Sequence, residues 1–358
     1  MPIPIANLTK TILLWSLAMA YQIVISIRNL LYDSGLLRAS EAGVPVVSVG
    51  NLVAGGTGKT PFAIALAGML LRNGKRVAIV SRGYRRQAKS DGPLVVSDGR
   101  EIRCPMAEAG DEPYLMAARL LARDGPGAMV IVCADRVKAA EKAKELRADV
   151  IVLDDGFQHR RLRRNVDLVL MDAARPLDNG WMLPAGMLRE PPRSLVRASA
   201  VIATRCGSKP LPPLFHEIQA RGIKVYQTQH RPGQPYRLQD LGNANPPPAA
   251  LPVEGPALLF SGIANPDSFE DSIRELGLTI GQHLRYRDHH NYSEQDLARI
   301  ASAGRDYQAV ITTEKDAVRL PPGWDPGCPA LVLPVEIQFP TQAEAAEFEQ
   351  FILRKIGR

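Results

Sequence analysis

Residues 46–60 read VVSVGNLVAGGTGKT. A short apolar run, Val46, Val47 and Val49, ends in a Gly-rich loop closed by Gly58, Lys59 and Thr60, and a helical pattern starts at once. Strand, Gly-rich loop and helix in that order is the layout of a P-loop. Its backbone N–H groups and helix N-terminus cradle phosphates, its lysine reaches the β- and γ-phosphates, and its Thr hydroxyl holds Mg²⁺. Here the cradle comprises Val53, Ala54, Gly55, Gly56, Thr57, Gly58, Lys59 and Thr60. The pattern asks for glycine five residues before Gly58, where Val53 stands, so Gly55 and Gly56 are expected to supply the tight turn. The bland alternative, an ordinary Gly-rich strand–helix turn, does not call for a Gly-Lys-Thr triplet between strand and helix.

Downstream, residues 60–72 continue as a helix with Ile64, Leu66, Ala67, Leu70 and Leu71 apolar. Pro61 sits in its first turn, where a missing N–H costs nothing, and Gly74 ends it. Residues 76–81 form a buried strand that runs into Arg82-Gly83-Tyr84-Arg85-Arg86, a basic loop at the sheet edge where open α/β sheets bind ligands. Residues 94–97 and 101–104 read as a small hairpin about Asp98-Gly99. Strands at 129–133, 150–154, 166–172 and 200–204 alternate with helices at 114–122 and 136–146, which implies a mostly parallel sheet with right-handed crossovers. Residues 231–256, rich in Pro, Gly, Asn and Ala, mark a boundary. Strands at 257–261, 279–285 and 309–313 follow, with helices at 266–276, from Ser293 as N-cap, and at 341–355. The expected fold is therefore a P-loop NTPase-type α/β domain (41–230), a linker (231–256) and a smaller α/β lobe (257–358), preceded by an N-terminal hydrophobic helix (1–40).

That helix carries no charge over residues 11–27, between Lys10 and Arg28. The run is at the short end of what spans a bilayer, and Ser16, Gln22 and Ser26 make it less apolar than a dedicated span. No small-residue cleavage site follows it. Three readings stand: a span, an interfacial helix with Trp15, Tyr21 and Tyr32 at headgroup level and Arg28 and Arg38 on anionic lipid, or a buried core helix. A net charge of +7 and a pI near 9.3 suit an anionic partner, whether nucleotide, nucleic acid or acidic lipid. No nucleic-acid motif and no internal repeat is evident. Cys104, Cys133, Cys206 and Cys328 have no metal or redox spacing and read as reduced and structural.

A P-loop needs a second carboxylate for Mg²⁺ at the end of a neighbouring strand, and Asp154 or Asp155 fits that place, with Gln158 nearby for phosphate or substrate. Phosphoryl transfer to an alcohol benefits from a base on the hydroxyl and cations on the transferring group. Asp111 and Glu112 sit at a helix start, where their spacing alone favours capping. Asp288-His289-His290 lies in a polar loop of the second lobe. His289 there could orient a base, donate to phosphate, or only solvate. A DHH triplet also occurs in metal phosphoesterases, whose accompanying carboxylate motifs are not evident. Residues 312–316 either bind nucleotide or brace the lobes. Of two basic clusters, Arg82 with Arg85, Arg86 and Lys89 lies beside the site, whereas residues 160–164 read as facing solvent or anionic lipid. In Leu188-Arg189-Glu190-Pro191, Glu190 is a candidate Mg²⁺-side carboxylate and Arg189 a phosphate clamp, against a structural ion pair.

Taken in order, VGNLVAGGTGKTP, SRGYRR, GDEP, DRV, LDDGFQHR, PAGMLREP, FSGIANPDSF, RDHHNYS and TTEKDAVRL resemble the tetraacyldisaccharide 4′-kinases of Gram-negative bacteria, over residues 46–320. The resemblance implies transfer of the γ-phosphate of ATP, with Mg²⁺, to the 4′-hydroxyl of tetraacyldisaccharide 1-phosphate, giving lipid IVA at the cytoplasmic face of the inner membrane. It implies Asp111 as the catalytic carboxylate, acting with His289. Asp154, Asp155, Gln158, Arg189 and Glu190 carry over as metal- and substrate-site residues. A rival is a membrane-associated partitioning ATPase, whose signature lysine is replaced here by Ala54. A GTPase would need an Asn-Lys-x-Asp motif, which is absent from the sequence. A non-catalytic lipid-binding protein would lack acceptor-dependent turnover.

Overall fold

The computed structural model describes residues 5–83, 92–121, 127–207, 210–243 and 255–357. The Val-rich run upstream of the P-loop is β1 (Val46–Asn51), buried along its whole length. It lies inside an eight-stranded sheet with β2 (Val77–Ser81), β3 (Leu94–Ser97), β4 (Met129–Val132), β5 (Val150–Asp154), β6 (Val166–Asp172), β7 (Ala200–Thr204) and β8 (Lys224–Gln227), in the order β3-β4-β2-β5-β1-β6-β7-β8. All neighbours are parallel except β3 and β4. Strands buried on both faces read as continuous apolar runs, and that is why β1, β2, β4 and β5 are legible in sequence. The hairpin expected about Asp98-Gly99 does not form as such. Only a bridge from Ser97 to Ile102 is made, and β3 pairs instead with β4, Leu94 opposite Val132.

Successive residues of each strand point to opposite faces. Val47, Val49, Ile79, Val130 and Val152 meet α2 (Lys59–Arg72) and α4 (Asp111–Arg119), which follows the short α3 (Met106–Ala109). On the other face, Val46, Val80 and Ile151 meet α5 (Arg136–Glu145), and Met171, Val201 and Ala203 meet α6 (Pro213–Ala220). The N-terminal α1 (Ile5–Asp33) also lies on this second face, through Ala18. Among its described side chains, from Thr11 on, Ala18, Ile25 and Asn29 are buried, while Ile12, Leu13, Leu17, Ile23, Val24, Ile27 and Leu30 are exposed. The core-helix reading is therefore excluded.

β9 (Gln229–Pro232) leaves the first sheet and leads to the second, built from β10 (Tyr236–Arg237), β11 (Ala257–Ser261), β12 (Ile280–Arg285), β13 (Val310–Thr313) and β14 (Ala330–Leu333) in the order β10-β14-β13-β11-β12. Between them run α7 (Pro266–Glu275), α8 (Glu294–Gly304) and α9 (Glu314–Ala317). Ser293 caps α8 in a reciprocal box with Asp296. β15 (Val335–Gln338) then pairs antiparallel with β9, so two strands join the lobes.

The last helix, α10 (Gln342–Ile356), does not stay in the second lobe, where the boundary at 257 had put it. It buries Phe348, Phe351, Ile352, Leu353 and Ile356 in the core of the first sheet, with Phe348 edge-on to Tyr226 at 5.1 Å. Each such side chain contributes about 1.5–3 kcal/mol relative to exposure. The stretch expected as linker takes in the end of β9 and all of β10, and residues 244–254 of it lie outside the described residues.

Candidate active site

β1 ends at Asn51, whose buried side chain donates to the Val53 carbonyl (2.6 Å) and to Thr57 Oγ1 (3.0 Å), tying the two ends of the loop together. Thr204 Oγ1 donates to the Thr57 carbonyl (3.1 Å) and Arg205 to that of Gly56 (2.8 Å). Gly58 has φ +84° and opens α2; a Cβ there would stand 2.5 Å from the His230 imidazole. Lys59 begins α2 and its Nζ lies 3.5 Å from Asp155 Oδ1. Thr60 is buried behind it.

β5 delivers Asp154 and Asp155 in different states. Asp154 is buried, accepts from Ser81 Oγ (2.9 Å), and is pushed up to about 7 by burial and then by the like charges of Glu112 and Asp155. Asp155 takes φ +49°, which turns its carboxylate to Arg189 Nη1 (2.8 and 2.9 Å) and to Lys59. Burial would raise it, but Lys59 and Arg189 outweigh burial and hold it below the usual range. Among the described residues no three His, Cys, Asp or Glu side chains converge as a metal cage. Mg²⁺ does not require one, since one or two carboxylates and substrate phosphates suffice. A buried carboxyl pushed up by two like-charged neighbours, with the Thr60 hydroxyl at the head of α2, fits such an ion.

The GDEP and DHH segments meet across the lobes. Asp111 opens α4 behind Gly110, and His289, in the left-handed region at φ +57°, reaches it with Nδ1 2.8 Å from Asp111 Oδ2. Arg319 donates to the same oxygen through Nη2 (2.6 Å) and Nε (3.2 Å). Burial works to raise the Asp111 carboxyl, but the hydrogen bonds from His289 and Arg319 outweigh it and hold it well below the usual carboxylate range. A carboxylate oxygen only accepts, so the bond to Asp111 is the one that a His289 tautomer protonated at Nδ1 makes; Arg319 Nη2 lies 3.1 Å from the same nitrogen, and Nε2 is 4.0 Å from Asp288 Oδ2. His290 is engaged elsewhere, against Asp296 (3.0 Å) and stacked on Tyr286.

Several expected residues have other partners. Glu190 is fully buried and bonded to Arg28, Asn29 and Arg197, which leaves no oxygen facing a metal. Gln158 donates to the Asn51 carbonyl (2.9 Å) and so supports the loop from below. Glu314 and Lys315 pair with Arg119 (2.7 Å) and Glu112 (3.1 Å), so residues 312–316 brace the lobes. In the basic run 160–164, Arg160 lies over the Tyr32 ring and bonds Asp33, and Arg164 is buried on Asp167; Arg161 and Arg163 alone are exposed. Arg82 is exposed at the end of β2 and close enough to Arg136 to act on its charge, after burial. Arg85, Arg86 and Lys89 lie outside the described residues. Asn51, Arg319 and His230 were not singled out from sequence. Asn51 and Arg319 do stand inside the quoted motifs, whereas nothing local marks His230.

A family model described as LpxK, tetraacyldisaccharide-1-P 4′-kinase, matches residues 10–357. A Geobacter metallireducens protein named tetraacyldisaccharide 4′-kinase is 41% identical over 316 residues, 87% of this chain and 88% of its own. One of the same name from Syntrophus aciditrophicus is 37% identical over 357 residues, 96% and 92%. A crystal structure described as the apo form of LpxK from Aquifex aeolicus in complex with ATP superposes with a TM-score of 0.75 at 30% identity, covering 96% of this chain and 98% of that one.

Proposed function

The chain belongs to the tetraacyldisaccharide-1-phosphate 4′-kinase family, and from that premise we propose how its own residues carry the reaction. It is an ATP-dependent kinase that moves the γ-phosphate to the 4′-hydroxyl of tetraacyldisaccharide 1-phosphate in lipid A biosynthesis. The backbone from Val53 to Thr60 cradles the phosphates, and Lys59 exchanges its contact with Asp155 for the β- and γ-oxygens. Thr60 and Asp154, with Asp155 next in the chain, would hold Mg²⁺. When bound there, the ion would neutralise phosphate charge as transfer proceeds. Arg189, next to Lys59 on Asp155, is the second cation for the transferring group, and exposed Arg82 takes an anionic group of the acceptor. Glu190 has no part in metal binding, and Gln158 acts through the loop it supports.

Asp111 is ionised and saturated with donors, which makes it a weak base and a strong orienter. The 4′-hydroxyl proton therefore passes to His289 Nε2 as the oxygen attacks the γ-phosphorus and ADP leaves, while Asp111 stabilises the imidazolium. The observation that carries this reading is the Asp111–His289 hydrogen bond between lobes, at the helix whose Glu112 acts on Asp154.

From Trp15 to Asp33 one side of α1 is engaged with the kinase domain, and the remaining faces are apolar. A helix so engaged lies along the membrane surface and does not cross it. Trp181, exposed and in ring contact with Trp15, extends the same surface. This suits the cytoplasmic face of the inner membrane, with the acceptor's acyl chains remaining in lipid and its sugar reaching the cleft. The test is transfer of label from γ-labelled ATP to the tetraacyl disaccharide 1-phosphate in mixed micelles with Mg²⁺. Labelled lipid is the expected product. ATP splitting without labelled lipid would overturn the acceptor assignment.

A further inference from the structure

Glu190 is fully buried, and two of its three donors come from α1. Its Oε1 accepts from Arg28 Nη2 (3.2 Å), and its Oε2 accepts from Asn29 Nδ2 (2.7 Å) and Arg197 Nη2 (2.9 Å). The preceding residue, Arg189, is bonded into the nucleotide site. Its guanidinium holds both oxygens of Asp155, which faces Lys59, and its N–H donates to the Leu52 carbonyl (2.7 Å). Its own carbonyl accepts from the Tyr21 hydroxyl of α1 (3.1 Å). Two residues further back, the Met187 carbonyl accepts from Ala54 N–H within the P-loop (2.7 Å). Ala18 of α1 packs in one core with Leu52 and Phe157, which stand just before the loop and just after the paired carboxylates.

We propose that Glu190 is a positioning residue that couples the seating of α1 to the placement of Arg189, Asp155 and Lys59, so that the helix facing lipid also sets the geometry of phosphoryl transfer. A buried carboxylate does not tolerate the loss of its donors. If α1 shifts, two donors leave, and the segment 187–190 moves with the groups it holds at the P-loop. Displacement of a reacting group by an ångström costs on the order of a hundredfold in rate. A helix serving only as anchor would change access to the acceptor and nothing else. The proposal rests on the kinase reading above and extends it.

The test is steady-state kinetics of the full-length protein in mixed micelles, wild type against the double variant Arg28→Met/Asn29→Ala. Arg197 stays on Glu190 in that variant. At saturating ATP and acceptor, kcat is expected to fall by about tenfold or more while the acceptor KM moves by less than about twofold. Arg28→Lys with Asn29 intact keeps the charge and is expected to retain most of the rate. A kcat within about twofold of wild type, with only the acceptor KM raised, would make α1 an anchor alone and overturn the proposal. Should the double variant not fold, Asn29→Ser, which removes a single donor, is judged by the same split at about threefold in kcat. Failure of the wild type to label lipid would overturn the kinase reading, and this proposal with it.

Discussion

Replacing Asp111 with asparagine keeps the side-chain volume and removes the charge on which His289 depends. In the wild type the Asp111 oxygen is 2.8 Å from His289 Nδ1, and the pair is partly screened from water by Arg319, itself buried. In the proposed mechanism His289 accepts the hydroxyl proton and becomes an imidazolium against that carboxylate. Two unit charges about 4 Å apart at an effective dielectric near 20 attract by about 4 kcal/mol. At 1.36 kcal/mol per decade that is roughly a thousandfold in rate, within the range of about 10²–10⁴ for general-base catalysis. Asp111→Asn is therefore expected to lower kcat by about 10³, while ATP affinity, set at the P-loop, stays within about twofold. Transfer of label from γ-labelled ATP at saturating substrates gives the first quantity, and calorimetric titration with ATP gives the second. Arg319 retains Asp316 at 3.3 Å, so the variant is expected to fold. A loss of less than tenfold, or a loss of ATP binding as large as the loss of turnover, would refute the role given to Asp111.

Three further outcomes are expected. Lys59→Ala should cost about 10²–10³ in kcat through lost stabilisation of the transferring group; near-normal turnover would remove the P-loop assignment. Burial, and then the charge of Arg205, holds His230 neutral down to about 4, whereas the unfolded chain protonates near 6.5. Between those values the unfolded state binds more protons, so stability falls as pH falls, by at most about 1.4 kcal/mol per pH unit. His230→Gln should flatten the acid limb of melting temperature against pH, and an unchanged limb would count against that burial. Phe348→Ala should destabilise the protein by about 3–5 kcal/mol in denaturant unfolding; a shift under 1 kcal/mol would contradict the packing of α10 on the first sheet.

Local chemistry was legible where a short segment carries its own signal. The valine run of β1, the Gly-Lys-Thr triplet and the carboxylates ending β5 stand at fixed offsets, and Ser293 caps α8 three residues before its partner Asp296. What stayed hidden depends on residues far apart in the chain. Glu190 reads as a metal carboxylate from its motif, but Arg28 and Asn29, some 160 positions earlier, turn it inward. The pattern of α10 reveals one apolar face and says nothing about which sheet covers it. Capping chemistry explains Asp111 from sequence alone, because the histidine and arginine that redefine it belong to the other lobe.

The return of α10 makes the first lobe a discontinuous unit, with the second lobe inserted into it. A ribosome finishes β8 and then spells out about a hundred residues before α10 emerges, roughly ten seconds of synthesis. Throughout that time the apolar face that α10 covers has no partner, while α1, made first, already exposes its own apolar side. The nascent chain thus has one apolar surface that stays exposed in the finished fold and another that must be kept for α10. Chaperone capture between the emergence of β8 and that of α10 would protect the second without hindering the first.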